Sequence, residues 1–198
     1  MLYDQWPVVL HHGSLVLRPL KRSDKNAWYT VREQNHDWLA QWEATSPFDD
    51  TILKFPTIRR ILEKEARNGK MLPFAMEVNG KLIGQVTVAD INYGSQCSGQ
   101  IGYWISEEYA GQGLSALGVA MTIDYCFNQL QLHRIEIHVR PENVASLRIP
   151  EKLGMRREGY RKEFAHINGK WADHISFALI NGENGPSVVD FLKKARKK

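Results

Sequence analysis

Residues 107–118 read EEYAGQGLSALG, and what flanks them decides what the chain can be. Upstream lies a short apolar strand, Ile101-Gly-Tyr-Trp-Ile105, and downstream an apolar helical run extends from Leu114 to Leu130. Gly111 and Gly113 let the backbone approach a ligand with no Cβ in the way. Their amides precede a helix, where unpaired N–H groups and the helix dipole favour an anion. A phosphate cradle is the expectation, and the rest of the chain must say whose phosphate it holds.

A chain of 198 residues, 43% hydrophobic and 24% charged, has the balance of one globular domain. No apolar run reaches the roughly 18 residues of a membrane span. The start, MLYDQWPVVLHHG, lacks the basic and long apolar regions of a signal peptide, so a cytoplasmic location is expected. Cys97 and Cys126 form no CxxC or Cys/His cluster, and no metal is expected. Formal charge is +4, with much of the excess in Leu192-Lys-Lys-Ala-Arg-Lys-Lys198. Residues 182–198 read as a solvated basic tail that would assist docking on an acidic partner such as the ribosome. No motif for specific DNA reading accompanies it.

Leu15–Leu20 alternates as a first strand, with Ser23 or Asp24 as a helix cap behind it. Helices are expected over 24–34, 36–44 and, with Thr57 as cap, 57–69. Two Asn-Gly pairs, Asn79-Gly80 and Asn168-Gly169, each lie between alternating runs and predict hairpins. After the long helix come a strand at Arg134–Val139 and a short helix from Asn143. Nothing divides this order, so one α/β domain is expected over 15–181.

Three classes compete for the glycine segment. A P-loop needs a Lys after its last glycine, and none follows Gly113. A dinucleotide fingerprint is met formally by Gly111, Gly113 and Ala116 with Glu136 beyond. It normally turns straight from strand to helix, whereas Ser106-Glu-Glu-Tyr-Ala110 intervene here. The third is a pyrophosphate on one helix N-terminus beside a strand whose edge stays open.

The third class is where a family resemblance enters. IGYWISEEYAGQGL followed by NVASLRIPEKLGMRREG resembles the GCN5-related N-acetyltransferases (GNAT), most closely the branch acetylating the N-terminal Ala or Ser of ribosomal proteins. LVLRPL, Trp38-Leu39 with Trp42-Glu43, and Gly169-Lys-Trp171 with Asp173-His174 match as well. The resemblance implies a mixed, mostly antiparallel twisted sheet of about seven strands flanked by helices. It implies acetyl-CoA as cosubstrate, its pyrophosphate on the amides of Gly111, Gln112, Gly113, Leu114 and Ser115. The pantetheine would pair like a strand beside Trp104, Ile105 and Ser106. Asn143 would bridge cofactor and backbone, or cap its own helix, and Ser146 would lie close to the CoA sulfur. Ala110 and Ser115 depart from the family's usual Arg/Gln and Gly/Ala.

Acyl transfer to an amine needs a neutral nucleophile, donors for the oxyanion and stabilisation of the leaving thiolate. The family's frequent base falls on Gln100 and its frequent acid on Pro150, so both side chains are missing. Pro150 also deprives the Ser146 carbonyl of its helical donor, and a kink or helix end is expected there. Glu77 is the candidate replacement base, working through water. Glu33 and Glu43 are candidate ammonium ligands, with Trp38 and Trp42 as an aromatic wall beside the acceptor. His138 and His174 read as structural residues. A terminal α-amine, with an ordinary pKa near 8, leans least on a base. The acceptor expected is a protein N-terminus, and the resemblance implies a ribosomal protein. A small-molecule amine and a CoA-binding module of little activity are the alternatives, and monomer and homodimer both stay open.

Overall fold

The computed structural model describes residues 6–49 and 51–195. Its strands are β1 (Leu10–His12), β2 (Leu15–Arg18), β3 (Leu72–Val78), β4 (Lys81–Asn92), β5 (Ser98–Ile105), β6 (Arg134–Val139), β7 (Arg156–Ile167) and β8 (Lys170–Ile180). They form one sheet of eight strands in the order β1-β2-β3-β4-β5-β6-β8-β7. The extra strand is β1, three residues too short to show an alternation. Both Asn-Gly turns take the left-handed backbone at each central residue, with φ of 50° and 80° at Asn79-Gly80 and 47° and 78° at Asn168-Gly169. That geometry matches the twist of the strands it joins.

Helices cover both faces: α1 (Lys25–Gln34), α2 (His36–Ala40), α3 (Phe55–Arg67), α4 (Leu114–Asn128), α5 (Val144–Lys152) and α6 (Val188–Ala195). The sequence of α4 is apolar nearly all round, the pattern of a helix packed on every side. Val119, Ala120, Ile123 and Cys126 have no solvent exposure. A Cβ on Gly118 would stand 3.2 Å from a Met76 methyl and 3.4 Å from Val86, so the helix lies tight on the sheet. Across the sheet, Trp28 and Val31 of α1 and Phe55 of α3 pack on Leu20, Ala75 and Leu82.

Three boundaries differ from expectation. Helix α3 opens at Phe55 and holds Pro56 in its first turn, where a missing N–H breaks no helical bond. Helix α2 stops at Ala40, so Trp42 and Glu43 lie beyond it. The stretch expected as a solvated tail instead carries α6, which buries Val188, Val189 and Leu192. The Asp124 carboxylate of α4 accepts from the amides of Val188 at 2.6 Å and Val189 at 3.2 Å, and so caps α6. Residues 196–198 lie outside the described residues. No helix among the described residues is long and apolar enough to cross a membrane.

One register shapes the site. Strands β5 and β6 run parallel and pair only at Ser98↔Arg134, Gly99↔Ile135 and Gln100↔Glu136. Beyond Gln100, β5 stays with β4 through Ile105, while β6 stays with β8 through Val139. The two strands part there, and the sheet opens into a wedge.

Candidate active site

Main-chain alternation decides which groups of β5 face the wedge. The Ser106 amide donates to Ile83 of β4 at 2.7 Å, so Ser106 and Trp104 turn their main chain to β4. Tyr103 and Ile105 therefore turn theirs into the gap, and the Ile105 carbonyl accepts from the Trp38 indole at 3.1 Å. Among the expected Trp104, Ile105 and Ser106, main-chain groups of Ile105 alone face the gap, with those of Tyr103 beside them. Ser106 is buried, with its hydroxyl on the Asn35 amide oxygen, and it does not line the cleft.

At the mouth of the wedge, Gly111 and Gly113 have φ of 75° and 79°, the left-handed region that favours glycine. Gly113 is the N-cap of α4, so the amides through Ser115 point out of its first turn. An added Cβ at Gly111 would meet nothing within 4 Å. The Gln112 side chain donates back to the Glu108 carbonyl at 2.8 Å and holds the loop. Room at Gly111 and the positive end of α4 fit a phosphate group.

From this loop a cleft of about 380 Å³ runs along the wedge, walled by Trp38, Trp42, Tyr103, Trp104, Ile105, Ala110 and Ser115 and floored by Asn143 and Ser146 of α5. Asn143 is the N-cap of α5, its side-chain oxygen accepting from the Ser146 amide at 3.0 Å. Helix α5 does not end before Pro150 but continues to Lys152. The carbonyl that Pro150 deprives of a partner is satisfied from outside: the Tyr103 hydroxyl lies 3.2 Å from the Ser146 carbonyl oxygen and 2.9 Å from the Ser146 hydroxyl. Burial pushes the Tyr103 phenol up, so it stays protonated. Nothing in the spacing of the sequence pairs residues 103 and 146.

Past Trp104 lies an adjoining space of about 430 Å³ lined by Arg32, Leu39, Trp42, Glu43, Gln85, Thr87 and Gly102. Both tryptophans expected beside the acceptor therefore line the cleft, although only Trp38 is helical. Among the described residues, two carboxylates line the combined space, Glu43 and Glu142. Glu43 pairs with Arg32, and Glu142 with Arg140 at 3.2 Å. Arg32 also lies over the Trp104 ring and Arg140 over the Trp42 ring. Glu77 is a correction: its carboxylate sits 2.6 Å from the Arg18 guanidinium and lines none of this space. Glu33 is exposed on α1 and is likewise absent from the lining.

Gln100 and its register partner Glu136 open instead on a separate polar hollow with Arg134, Glu158 and Arg161. Next to it, His138 has Nδ1 2.9 Å from the Ser176 hydroxyl, while its Nε2 is buried without a hydrogen bond, 3.2 Å from Glu136. Phe164 of β7 covers the ring. Burial, and then Arg161, push His138 down to about 4 against the pull of Glu136, with His174 of β8 adding a smaller push. The ring is neutral in the fold at pH 7, and the unfolded chain binds its proton first, near 6.5. His138 thus contributes stability above about pH 6.5 that is lost as the pH falls toward 4. His138→Gln should remove about 2–3 kcal/mol of the pH-dependent loss seen by urea unfolding at pH 7 and pH 4.5. Parallel losses in parent and variant would contradict this.

Comparison with known proteins adds four findings. A family model described as an acetyltransferase (GNAT) domain matches residues 14–156. The structure of Mycobacterium smegmatis RimJ in complex with CoA-disulfide superposes with a TM-score of 0.90 at 34% identity, covering 96% of each chain. The ribosomal-protein-S5-alanine acetyltransferase from Vibrio fischeri gives 0.80 at 28% identity over 89% of this chain and 98% of that one. A spermidine N(1)-acetyltransferase of Vibrio cholerae is 28% identical over 82% of this chain and 90% of its own length.

Proposed function

The chain belongs to the GNAT acetyltransferases, and from that premise we propose that it transfers the acetyl group of acetyl-CoA to the N-terminal α-amine of a protein, the acceptor class being ribosomal. Acetyl-CoA supplies a thioester, an acyl group activated by its leaving thiolate. The amides from Gly111 to Ser115 hold its pyrophosphate, and the main-chain groups of Tyr103 and Ile105 pair with its pantetheine. The Ser146 hydroxyl is the donor for the sulfur, and Asn143 holds the turn of α5 that presents it. Trp38 and Trp42 flank the incoming chain end.

The observation that carries the acceptor reading is the pairing of Glu43 and Glu142 with arginines. A polyamine brings several ammonium groups and needs carboxylates that are not already neutralised. An α-amine brings one charge, and with a pKa near 8 roughly a tenth of it is neutral at pH 7 without any base. A site with Gln100 and Pro150 in place of the family's frequent base and acid suits that nucleophile. The relative named for spermidine makes the polyamine the rival worth testing.

Thiol release from acetyl-CoA should be faster with peptides beginning Ala or Ser than with spermidine, by roughly tenfold or more in kcat/KM. The logarithm of kcat/KM should climb with unit slope to about pH 8, the acceptor's own pKa. Preferential turnover of spermidine would end the protein-acceptor reading. A plateau reached near pH 6 would reveal a base on the protein and remove the argument from the bare amine.

A further inference from the structure

Ser146 presents two oxygens to one phenol. The arrangement that satisfies every atom has Tyr103 donating to the Ser146 carbonyl at 3.2 Å and the Ser146 hydroxyl donating to the Tyr103 oxygen at 2.9 Å. A helix with an ordinary residue at 150 would give that carbonyl to the amide of residue 150, four positions on. Pro150 has no such amide, so the carbonyl is left for the strand to satisfy. Tyr103 is borne on β5, Ser146 and Pro150 on α5, and the contact closes the cleft floor between them.

We propose that Tyr103 is the positioning residue for Ser146, holding its hydroxyl against the phenol oxygen until a thiolate forms, and that Pro150 makes this arrangement possible. The inference rests on acetyl transfer within this cleft and not on which amine receives the group. In the resting state the serine proton lies on a neutral oxygen. When negative charge gathers on sulfur, the serine O–H turns to it and makes a charge-assisted bond, stronger than the one given up. No proton leaves Tyr103, which keeps its bond to the carbonyl and so keeps α5 in place during the exchange. The gain appears only as charge develops, which is the condition for raising kcat rather than lowering KM.

Tyr103→Phe should lower kcat by about tenfold with the KM for acetyl-CoA within about twofold of the parent, and should lower the melting temperature because the Ser146 carbonyl loses its donor. Adding Pro150→Ala returns an N–H to that carbonyl. The double variant should therefore regain stability but not kcat. On a Ser146→Ala background, Tyr103→Phe should cost no further turnover, because the two act as one unit. Recovery of kcat together with melting temperature in the Tyr103→Phe, Pro150→Ala protein would overturn the proposal and leave Tyr103 as a helix support. Additive losses with Ser146→Ala would overturn it as well. Peptide turnover by the parent protein reads the proposed acceptor separately, and turnover of spermidine permits the same variant comparison should peptides prove inert.

Discussion

Gly111→Asp should bind acetyl-CoA at least about 100-fold more weakly than the parent protein in calorimetric titration, while the fold survives. The φ of 75° strains any L residue, a cost of roughly 1–2 kcal/mol that Asp bears better than most. Space is not the obstacle in the free protein, since an added Cβ meets nothing within 4 Å. The obstacle arises with the ligand, because a carboxylate then occupies the place of an anion at the positive end of α4. Gly169→Asp is the matched control. Its φ is 78° and its Cβ also meets nothing within 4 Å, but it lies in the β7–β8 turn. It should carry the strain and leave acetyl-CoA binding unchanged. Equal weakening in both would mean that backbone strain, and not the cradle, explains the loss.

Arg18→Met should destabilise the protein by about 3–5 kcal/mol, the largest effect on stability expected from any of its ion pairs. Arg18 is 5% exposed and forms two bonds with the Asp24 carboxylate, at 2.7 and 2.9 Å, and one with Glu77 at 2.6 Å. Asp24 is itself buried and also accepts from the Lys21 amide at 2.7 Å. Removing the guanidinium leaves buried negative charge with no counter-charge. The i,i+4 pair of Arg59 and Glu63 on α3 is the contrast, since solvent reaches Glu63. Glu63→Gln should cost no more than about 0.5 kcal/mol. Urea unfolding at pH 7 compares the two, and similar costs would contradict the burial argument. The same network explains why Glu77 is unsuited to act as a base: Arg18 already holds its carboxylate.

Much of the fold can be read from local signals. The two Asn-Gly turns, the glycines before α4 and the alternation of Arg134–Val139 each state their own geometry within a few residues. The cradle and the α5 cap are local in the same sense, because Asn143 and Ser146 stand one turn apart. What stayed hidden depends on contacts between distant residues. Tyr103 and Ser146 are 43 positions apart, and only the parting of β5 from β6 after Gln100 brings the strand and α5 to one cleft. Glu77 and Glu33 are candidates by residue type on plausible elements, and neither type nor parity reports that Arg18 claims one and solvent the other. Helix α6 was masked by its basic ending, since the charged Lys193 and Lys194 follow an apolar face that α4 buries. A proline leaves both a kink and a helix end open, and the sequence around Pro150 does not show that helix α5 continues, because the compensating donor comes from another element.

The central claim is that the wedge between β5 and β6 delivers a thioester to Ser146 while the first turn of α4 holds the pyrophosphate. A crystal structure of the protein with CoA tests it most directly. The account predicts phosphate oxygens at hydrogen-bond distance from the amides of Gly111 to Ser115, and the CoA sulfur within about 3.5 Å of the Ser146 hydroxyl. A pyrophosphate held elsewhere, or a sulfur directed away from Ser146 toward the hollow beside Gln100, would contradict it.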